Sequence, residues 1–302
     1  MGGAGKRKRD ASGGGASSGG APAMLAELAE RDATGDVARI YGEIRELCAV
    51  PYVSSMQRHL ATRPGWLPWA WAAVRPAFLD GSAQEAAWRA AGPVDAPPLP
   101  RLSESALRVL GVDADAEQSI RATSESFVRV SPTNLMFSGL LRRLLSGERP
   151  GGRGRAGVAP PWTPPPALPA LPALVDPAAM TPVQRAVLME LGTEVGGRPF
   201  VPGLYRMLAH WPAYLAHVAT LLRPRFDDPV TVASCRTVLA RIDAEVPSVF
   251  ARLPAPPSSP PAPPPEEHAD VLAALDRYRE TSPQMIVLGA LIRDALPPPR
   301  AA

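Results

Sequence analysis

The sequence contains few cysteines, few histidines and little net charge, and each shortage excludes a class of protein. Its 302 residues include only two cysteines, Cys48 and Cys235, and no Cys-x-x-Cys pair. A disulfide scaffold and a cysteine-bound zinc site are therefore not expected, and a reducing compartment is favoured. The four histidines show no metal-binding spacing, and the sequence has no Walker or dinucleotide-binding motif. We therefore expect no metal and no cofactor.

Charge and hydropathy also limit the partners. The chain carries 32 Lys and Arg against 29 Asp and Glu, a net charge of +3, which is not the basic footprint of a nucleic-acid-binding domain. No apolar run approaches the ~20 residues that a membrane-spanning helix needs, and no apolar segment typical of a secretory signal follows the first residues. We predict a cytoplasmic protein that binds neither nucleic acid nor a membrane. The basic run Lys6–Arg9 leaves a nuclear location as an alternative, and a homodimer is left open.

Proline marks the boundaries between segments. The chain has 38 prolines, many of them in the stretches 149–177 and 254–265. Residues 1–21 are mainly Gly, Ser and Ala around a basic run, and they are predicted to be disordered. We therefore divide the chain into this tail, a helical unit over 24–148, a proline-rich linker and a second helical unit over 178–298. Within the second unit, 254–265 is predicted to be a surface loop, with a binding site for an SH3-type or WW-type domain as an alternative.

Two stretches of the chain resemble each other at a constant offset. Residues 51–80 align without a gap with residues 199–228, which lie 148 positions further on. Eleven of the 30 aligned pairs are identical, among them Arg58 with Arg206. We interpret the two halves as copies of one helical unit.

A second repeated block contains a Ser-Pro dipeptide. Ser131-Pro132 matches Ser282-Pro283 at an offset of 151 residues, so three residues were inserted between the two blocks of the second copy. Serine followed by proline is typical of a helix start, with Ser as the N-cap and Pro in the first turn. Each dipeptide is therefore predicted to open the last helix of its unit. Both hydroxyls are candidates for contact with a bound anion, although capping alone also explains them.

The elements that the sequence pattern identifies are all helical. Apolar residues recur at three- and four-residue spacing, and no stretch alternates as a half-buried strand would. Helix-start signals include Ser103, the pair Asp115 with Gln118, and the pair Thr181 with Gln184. The predicted fold class is all-α: two tandem helical repeats that form a pseudo-dimer with a pocket between them.

The stretch VPYVSSMQRHLATRPGWLPWAWAAVRP, which begins at Val50, resembles a known family. Its VP-aromatic-V, Arg-x-Leu-Ala-Thr and Pro-Gly-x-Leu-Pro segments are similar to the DehI-type, or group I, 2-haloacid dehalogenases. This family is also called the halocarboxylic acid dehydrogenase DehI family. The resemblance continues through the first Ser-Pro block and through LAHWPAYL at 208–215, and it covers roughly residues 35–297. It implies an all-α fold of two repeats with the active site between them.

The resemblance also implies a reaction, the hydrolytic removal of halide from a short 2-haloacid by direct attack of water. In the family an Asp of the second unit activates this water, and an Asn before the proline of the last helix of the first unit helps to hold it. The residues at those two positions here are Leu204 and Ser131, and the aromatic pocket positions carry Tyr52 and Ser55. The family's general base is therefore missing, and such a loss typically costs ~10²–10⁴ in rate.

Five further residues complete the candidate pocket. Arg58 and Arg206 occupy the same position of the two units, on the face that should lie at the repeat interface. A guanidinium group there could bind a carboxylate in bidentate fashion, or could form a structural ion pair. Gly203 and Tyr205 adjoin the position of the missing base, and Ser282 is the counterpart of the first-unit serine.

Four titratable residues lie near the missing base in the sequence: Glu190, Glu194, His210 and His217. The sequence places none of them at its position. The function is therefore left open between hydrolytic dehalogenation of 2-haloacids and a non-catalytic or repurposed pseudoenzyme that binds a small acid in the pocket between the repeats. A different hydrolytic or isomerising activity is a third alternative. In each case the expected partner is a small organic acid or another small molecule.

Overall fold

The fold is taken from a computed structural model that describes residues 25–152, 162–195 and 197–298. The predicted disordered tail, with its basic run, and the middle of the predicted linker lie outside the described residues. The described residues are helical except for one short hairpin and the connecting segments, so the predicted all-α fold class is confirmed. No helix in this part of the chain is both long enough and apolar enough to cross a membrane.

The first half of the described chain contains six α-helices. They are α1 Gly35–Cys48, α2 Ser55–Leu60, α3 Trp66–Leu79, α4 Ser82–Ala91, α5 Glu104–Val109 and α6 Ala114–Leu145. The second half contains α7 Pro182–Met189, α8 Gly203–Leu208, α9 Pro212–Leu222, α10 Pro229–Arg252 and α11 His268–Ala295. Short 3-10 turns lie at Glu30–Asp32, Pro177–Ala179, Arg223–Phe226 and Pro265–Glu267.

One antiparallel hairpin precedes α8. Its strands are β1 Thr193–Val195 and β2 Arg198–Phe200, with Thr193 opposite Phe200. The expectation that no strand is present is wrong for this hairpin, because strands of three residues are too short to show an alternating pattern. Gly197, which directly precedes β2, has a φ of +71°, a conformation that glycine adopts readily.

Helices of the two halves follow the offset found in the sequence. α2 and α8 have six residues each, and their first residues, Ser55 and Gly203, lie 148 positions apart, as do their last. α6 and α11 are the long last helices of their halves, and each contains the proline of its Ser-Pro dipeptide. These bounds support the interpretation of the halves as copies, which stays a prediction.

The predicted helix starts at the two Ser-Pro dipeptides are wrong. α6 runs continuously through Ser131-Pro132, and α11 runs through Ser282-Pro283. A proline inside a helix removes one backbone hydrogen bond and costs about 3 kcal/mol. Burial offsets this cost, because every residue from 130 to 141 of α6 is buried. Neither serine therefore lies at a helix N-terminus.

α6 and α11 pack against each other in antiparallel orientation. Near one end of the pair, Arg142 Nε lies 2.8 Å from Asp276 Oδ1. Toward the other end, Gly289 of α11 approaches α6 so closely that a Cβ on it would lie 3.3 Å from Val128 Cγ2. The two Ser-Pro dipeptides consequently lie within the region where α6 and α11 cross.

The other helix-start predictions have mixed outcomes. Ser103 caps α5, and Thr181 with Gln184 forms the predicted capping box at α7. The predicted pair at Asp115 is wrong, because Asp113 caps α6 through its carboxylate and the helix begins two residues earlier.

The end of the predicted linker contacts both halves. Trp162 Nε1 donates a hydrogen bond to Glu85 Oε1 at 2.9 Å, in the first half. Further along, Arg206 Nε of the second half donates to the backbone oxygen of Val175 at 3.0 Å. The described end of the linker, residues 162–177, therefore contacts both halves.

Gly139 of α6 provides a test of the close packing among the long helices. A Cβ at this position would lie 2.7 Å from Val246 Cγ2 of α10. Gly139→Ala is expected to lower the free energy of unfolding by about 1–3 kcal/mol, measured by urea denaturation. Gly42→Ala is the matched control, because a Cβ on this glycine of α1 meets nothing within 4 Å. That variant is expected to be more stable by about 0.5–1 kcal/mol, and equal effects at both glycines would contradict the packing.

Candidate functional site

Residues from both halves of the chain enclose a small cavity, called here the inner cavity. Its volume is about 40 Å³, which suits water molecules rather than a larger ligand. The lining residues are Tyr52, Ser54, Ser55, Met56, Phe127, Ser131, Asn134, Phe200, Pro202, Gly203, Tyr278, Thr281, Ser282 and Met285.

Most of these lining residues occupy equivalent positions of the two halves. Twelve of the fourteen fall into six pairs separated by the two sequence offsets. Three pairs are 148 residues apart: Tyr52 with Phe200, Ser54 with Pro202, and Ser55 with Gly203. Three pairs are 151 residues apart: Phe127 with Tyr278, Ser131 with Ser282, and Asn134 with Met285. The inner cavity thus has the lining that a duplicated chain would produce.

The structure brings together only part of the predicted pocket. Five of the candidate residues line the inner cavity: Tyr52, Ser55, Ser131, Gly203 and Ser282. Leu204 and Tyr205 do not line it and are buried in an apolar cluster instead. Arg58 and Arg206 line a neighbouring cleft.

Gly203 of α8 lies close to the first half of the chain. A Cβ on Gly203 would lie 2.6 Å from Tyr52 Oη and 3.0 Å from Phe127 Cζ. Leu204 is 0% exposed, and its side chain lies on the side of Gly289. Neither position carries a carboxylate, so the acid that the resemblance implies is missing both at the aligned position and at the position that faces the inner cavity.

The described residues that line the inner cavity include no Asp, Glu, His, Lys or Cys. The hydroxyls of Thr281 and Ser282 donate to the backbone oxygen of Tyr278 at 3.2 and 2.7 Å. Burial raises the pKa of both Tyr52 and Tyr278, so these phenols stay protonated at neutral pH. The cavity therefore offers hydrogen-bonding groups but no carboxylate or imidazole that could take a proton from water.

Asn134 is a polar lining residue that the sequence reading did not select. It is 8% exposed, and its Oδ1 accepts a hydrogen bond from Gln57 Nε2 at 3.0 Å. It lies three residues after Ser131 in α6, so the two side chains share a helix face. That spacing could have identified Asn134 once the helix was known to continue past the proline.

A wider opening adjoins the inner cavity and is called here the outer cleft. Its volume is about 450 Å³, within the range of ~300–1,000 Å³ that is usual for small-molecule sites. Tyr52 and Phe200 line both spaces. The outer cleft is also lined by Arg58 and Arg206. Two further segments contribute to the lining, residues 25–31 before α1 and residues 171–177 at the end of the linker.

In the outer cleft the carboxylate of Glu27 lies between the two arginines. Arg58 Nη2 donates a hydrogen bond to Glu27 Oε2, and Arg206 Nη1 lies 3.6 Å from the same oxygen. The side chains of Arg58 and Glu27 are 4% and 11% exposed, so this ion pair is largely removed from water. The arginines at equivalent positions of the two halves therefore share one internal carboxylate.

These contacts do not provide a hydrogen-bond acceptor for every donor atom of Arg58. Its Nη2 also donates to Tyr52 Oη and Ser55 Oγ, both at 3.2 Å, whereas its buried Nε has no hydrogen-bond partner. Burial alone would lower the pKa of Arg58, but the nearby Tyr52 and Glu27 raise it, so the guanidinium stays charged. Arg58 therefore lines the outer cleft as a charged group with one buried donor that lacks an acceptor.

Glu27 belongs to an extended segment that contacts both halves. Its neighbours Leu25 and Leu28 donate backbone hydrogen bonds to the oxygens of Pro199, at 3.2 Å, and Arg58, at 3.0 Å. Glu27 was not predicted from the sequence, because this residue lies outside both repeated blocks and 31 residues before Arg58. No local pattern in the sequence indicates that contact.

The four titratable residues considered as replacement bases lie elsewhere. Glu190 and Glu194 are exposed, and neither lines the inner cavity. His210 is also exposed, and its Nε2 lies 2.8 Å from the backbone oxygen of Ala173. His217 is half-buried and likewise does not line the inner cavity.

Known proteins with a similar sequence indicate the family to which this chain is related. No protein-family model matches the chain. A curated protein described as "2-haloacid dehalogenase, configuration-inverting", from Alcaligenes xylosoxydans xylosoxydans, is 31% identical over 133 residues. This chain is a relative of the 2-haloacid dehalogenases. The match covers 43% of this chain and 45% of that protein, so it spans less than half of the relative's length.

Solved structures of D-2-haloacid dehalogenase have the same fold as this dehalogenase relative. A complex with L-LA superposes with a TM-score of 0.69 at 20% identity, and a mutant complex with D-2-CPA does so at 0.66 and 19%. A further mutant structure gives 0.70 and 18%. Each comparison covers 91% of this chain and 97–98% of the other. The predicted resemblance is therefore confirmed at the level of fold and relationship.

Proposed function

We propose that this dehalogenase relative binds a small organic acid between its two halves and does not cleave a carbon–halogen bond. The single observation that carries the proposal is the lining of the inner cavity, in which no described residue is an acid or a histidine. Displacement of halide by water needs a group that removes a proton from the water. A positioned base typically supplies ~10²–10⁴ of the rate, and here the cavity provides only hydroxyl, amide and apolar groups.

Retention of acid binding is supported by the outer cleft. Arginine is the side chain whose planar fork of donors best matches a carboxylate, and two arginines from equivalent positions line this space. Solved structures of D-2-haloacid dehalogenase are complexes with L-LA and with D-2-CPA. A chain that lacks the base and has two arginines at this interface fits a protein that binds such acids without converting them.

A second candidate function is hydrolysis with Glu27 as the base. It is favoured by the one observation that Glu27 extends a carboxylate into the outer cleft. Against it, Glu27 Oε2 is engaged by Arg58, and Glu27 does not line the inner cavity. Any halide release by this route should disappear in Glu27→Gln.

Calorimetric titration with 2-chloropropionate, followed by proton NMR of the recovered ligand, tests the proposal. We expect saturable binding and an unchanged ligand, with no binding of the neutral 2-chloropropionamide, because the arginines select for the carboxylate. Recovery of lactate would favour an enzyme. Equal binding of the acid and the amide would remove the role assigned to the arginines.

A further inference from the structure

We infer that Arg58 and Arg206 form a carboxylate-binding site whose resident occupant is Glu27 of the same chain, so that a small organic acid binds by displacing Glu27. The inference rests on the proposed function. It adds where the acid binds, which group of the acid is recognised, and which side chain of the protein competes for the same place. It assigns the two repeat-related arginines to one ligand rather than to separate structural roles.

The geometry at Glu27 is that of a carboxylate held between two cations. One carboxylate oxygen is within ion-pair distance of both guanidinium groups, one from each half of the chain. Charge-assisted contacts of this kind are roughly twice as strong as neutral hydrogen bonds. A free carboxylic acid presents the same group, and it can therefore make the same contacts.

The buried Nε of Arg58 indicates that Glu27 does not use the site completely. This atom has no hydrogen-bond partner, while the adjacent Nη2 is shared among Glu27, Tyr52 and Ser55. A carboxylate that bound Nε and Nη2 together would satisfy both donors in the bidentate arrangement that arginine favours. A small acid is free to adopt that arrangement, whereas Glu27 is limited by the backbone contacts of its segment.

Displacement involves only an extended segment, because no helix or strand lies between residues 25 and 29. Its backbone is held by the hydrogen bonds to Pro199 and Arg58 and by the side chains of Tyr41 and His59, which contact the backbone oxygens of Leu28 and Ala26. The outer cleft already opens beside it with a volume of about 450 Å³. An entering acid therefore needs movement of one short extended segment and not of a helix.

Removal of the competitor is expected to strengthen acid binding. Glu27 occupies the site in most molecules and leaves it free in only a fraction of them. The apparent affinity for an external acid is the intrinsic affinity multiplied by that free fraction. We expect Glu27→Gln to lower the Kd for 2-chloropropionate by roughly tenfold or more, measured by calorimetric titration. Arg206→Gln, made in the same background, is expected to reverse that gain.

Glu46→Gln is the matched control, because it removes one carboxylate from an exposed position of α1 that does not line the outer cleft. Its Kd should stay within about twofold of the unaltered protein. A second readout needs no variant: hydrogen exchange at Leu25 and Leu28 should accelerate when 2-chloropropionate is added.

The outcomes separate this inference from the proposed function. Acid binding that does not change in Glu27→Gln or Arg206→Gln, with no faster exchange at Leu25 and Leu28, overturns the inference and leaves acid binding in place. Failure of both the unaltered protein and Glu27→Gln to bind any small acid overturns the two together. Conversion of the acid to lactate contradicts the proposed function alone.

Discussion

Replacing Leu204 with aspartate is expected to lower the free energy of unfolding by about 3–5 kcal/mol, without any gain of halide release. Leu204 is 0% exposed and belongs to an apolar cluster with Tyr205 and Leu208. The substitution removes apolar contacts and brings a carboxyl group into surroundings without water. Urea denaturation followed by circular dichroism measures the loss of stability, and a chloride assay measures the activity.

Val183→Asp is the control for Leu204→Asp. Val183 lies in α7 and is 76% exposed, so an aspartate there stays in water and should change the stability by less than about 0.5 kcal/mol. A Leu204→Asp protein that keeps its stability and releases halide would contradict the account. It would mean that the side chain at this position reaches water between the halves.

Replacing Arg58 with methionine is expected to destabilise the protein by about 3 kcal/mol or more, because it leaves a buried carboxylate with a single distant partner. Glu27 would then have only Arg206, whose Nη1 lies 3.6 Å away. Denaturation of Arg58→Met, Glu27→Gln and the double variant gives the coupling energy of the pair. The double variant should be more stable than the sum of the two single effects predicts.

Arg31→Met is the matched control for Arg58→Met. The side chain of Arg31 is 88% exposed, so its removal should change the stability by less than about 0.5 kcal/mol. Additive effects of Arg58→Met and Glu27→Gln would show that the two residues do not stabilise each other. They would also remove the structural basis for a shared carboxylate site.

The sequence predicted the fold where the relevant pattern is local or repeated. The offset of 148 residues aligns Ser55 with Gly203 in the sequence, and in the structure these residues begin α2 and α8. The capping box at Thr181 was predicted for the same reason, since all its contacts lie within four residues. The resemblance supplied the family, and the fold comparison agrees with it.

The sequence failed where contacts between distant segments override local preference. Ser131-Pro132 has the local pattern of a helix start, but burial of α6 against α11 stabilises a continuous helix through it. The contact of Glu27 with Arg58 joins segments 31 residues apart, and no periodicity predicts it. Whether residue 203 or 204 faces the inner cavity depends on the rotation of α8, which spacing alone does not fix.

Chloride release from both enantiomers of 2-chloropropionate tests the central claim most directly, namely that the inner cavity between the halves contains no group able to activate water. The assay compares the purified protein with Glu27→Gln and with a protein-free solution, over a range of protein concentrations. We predict that the unaltered protein and the variant release chloride no faster than the protein-free solution. Release in proportion to the protein concentration would contradict the account, and its loss in Glu27→Gln would identify the base.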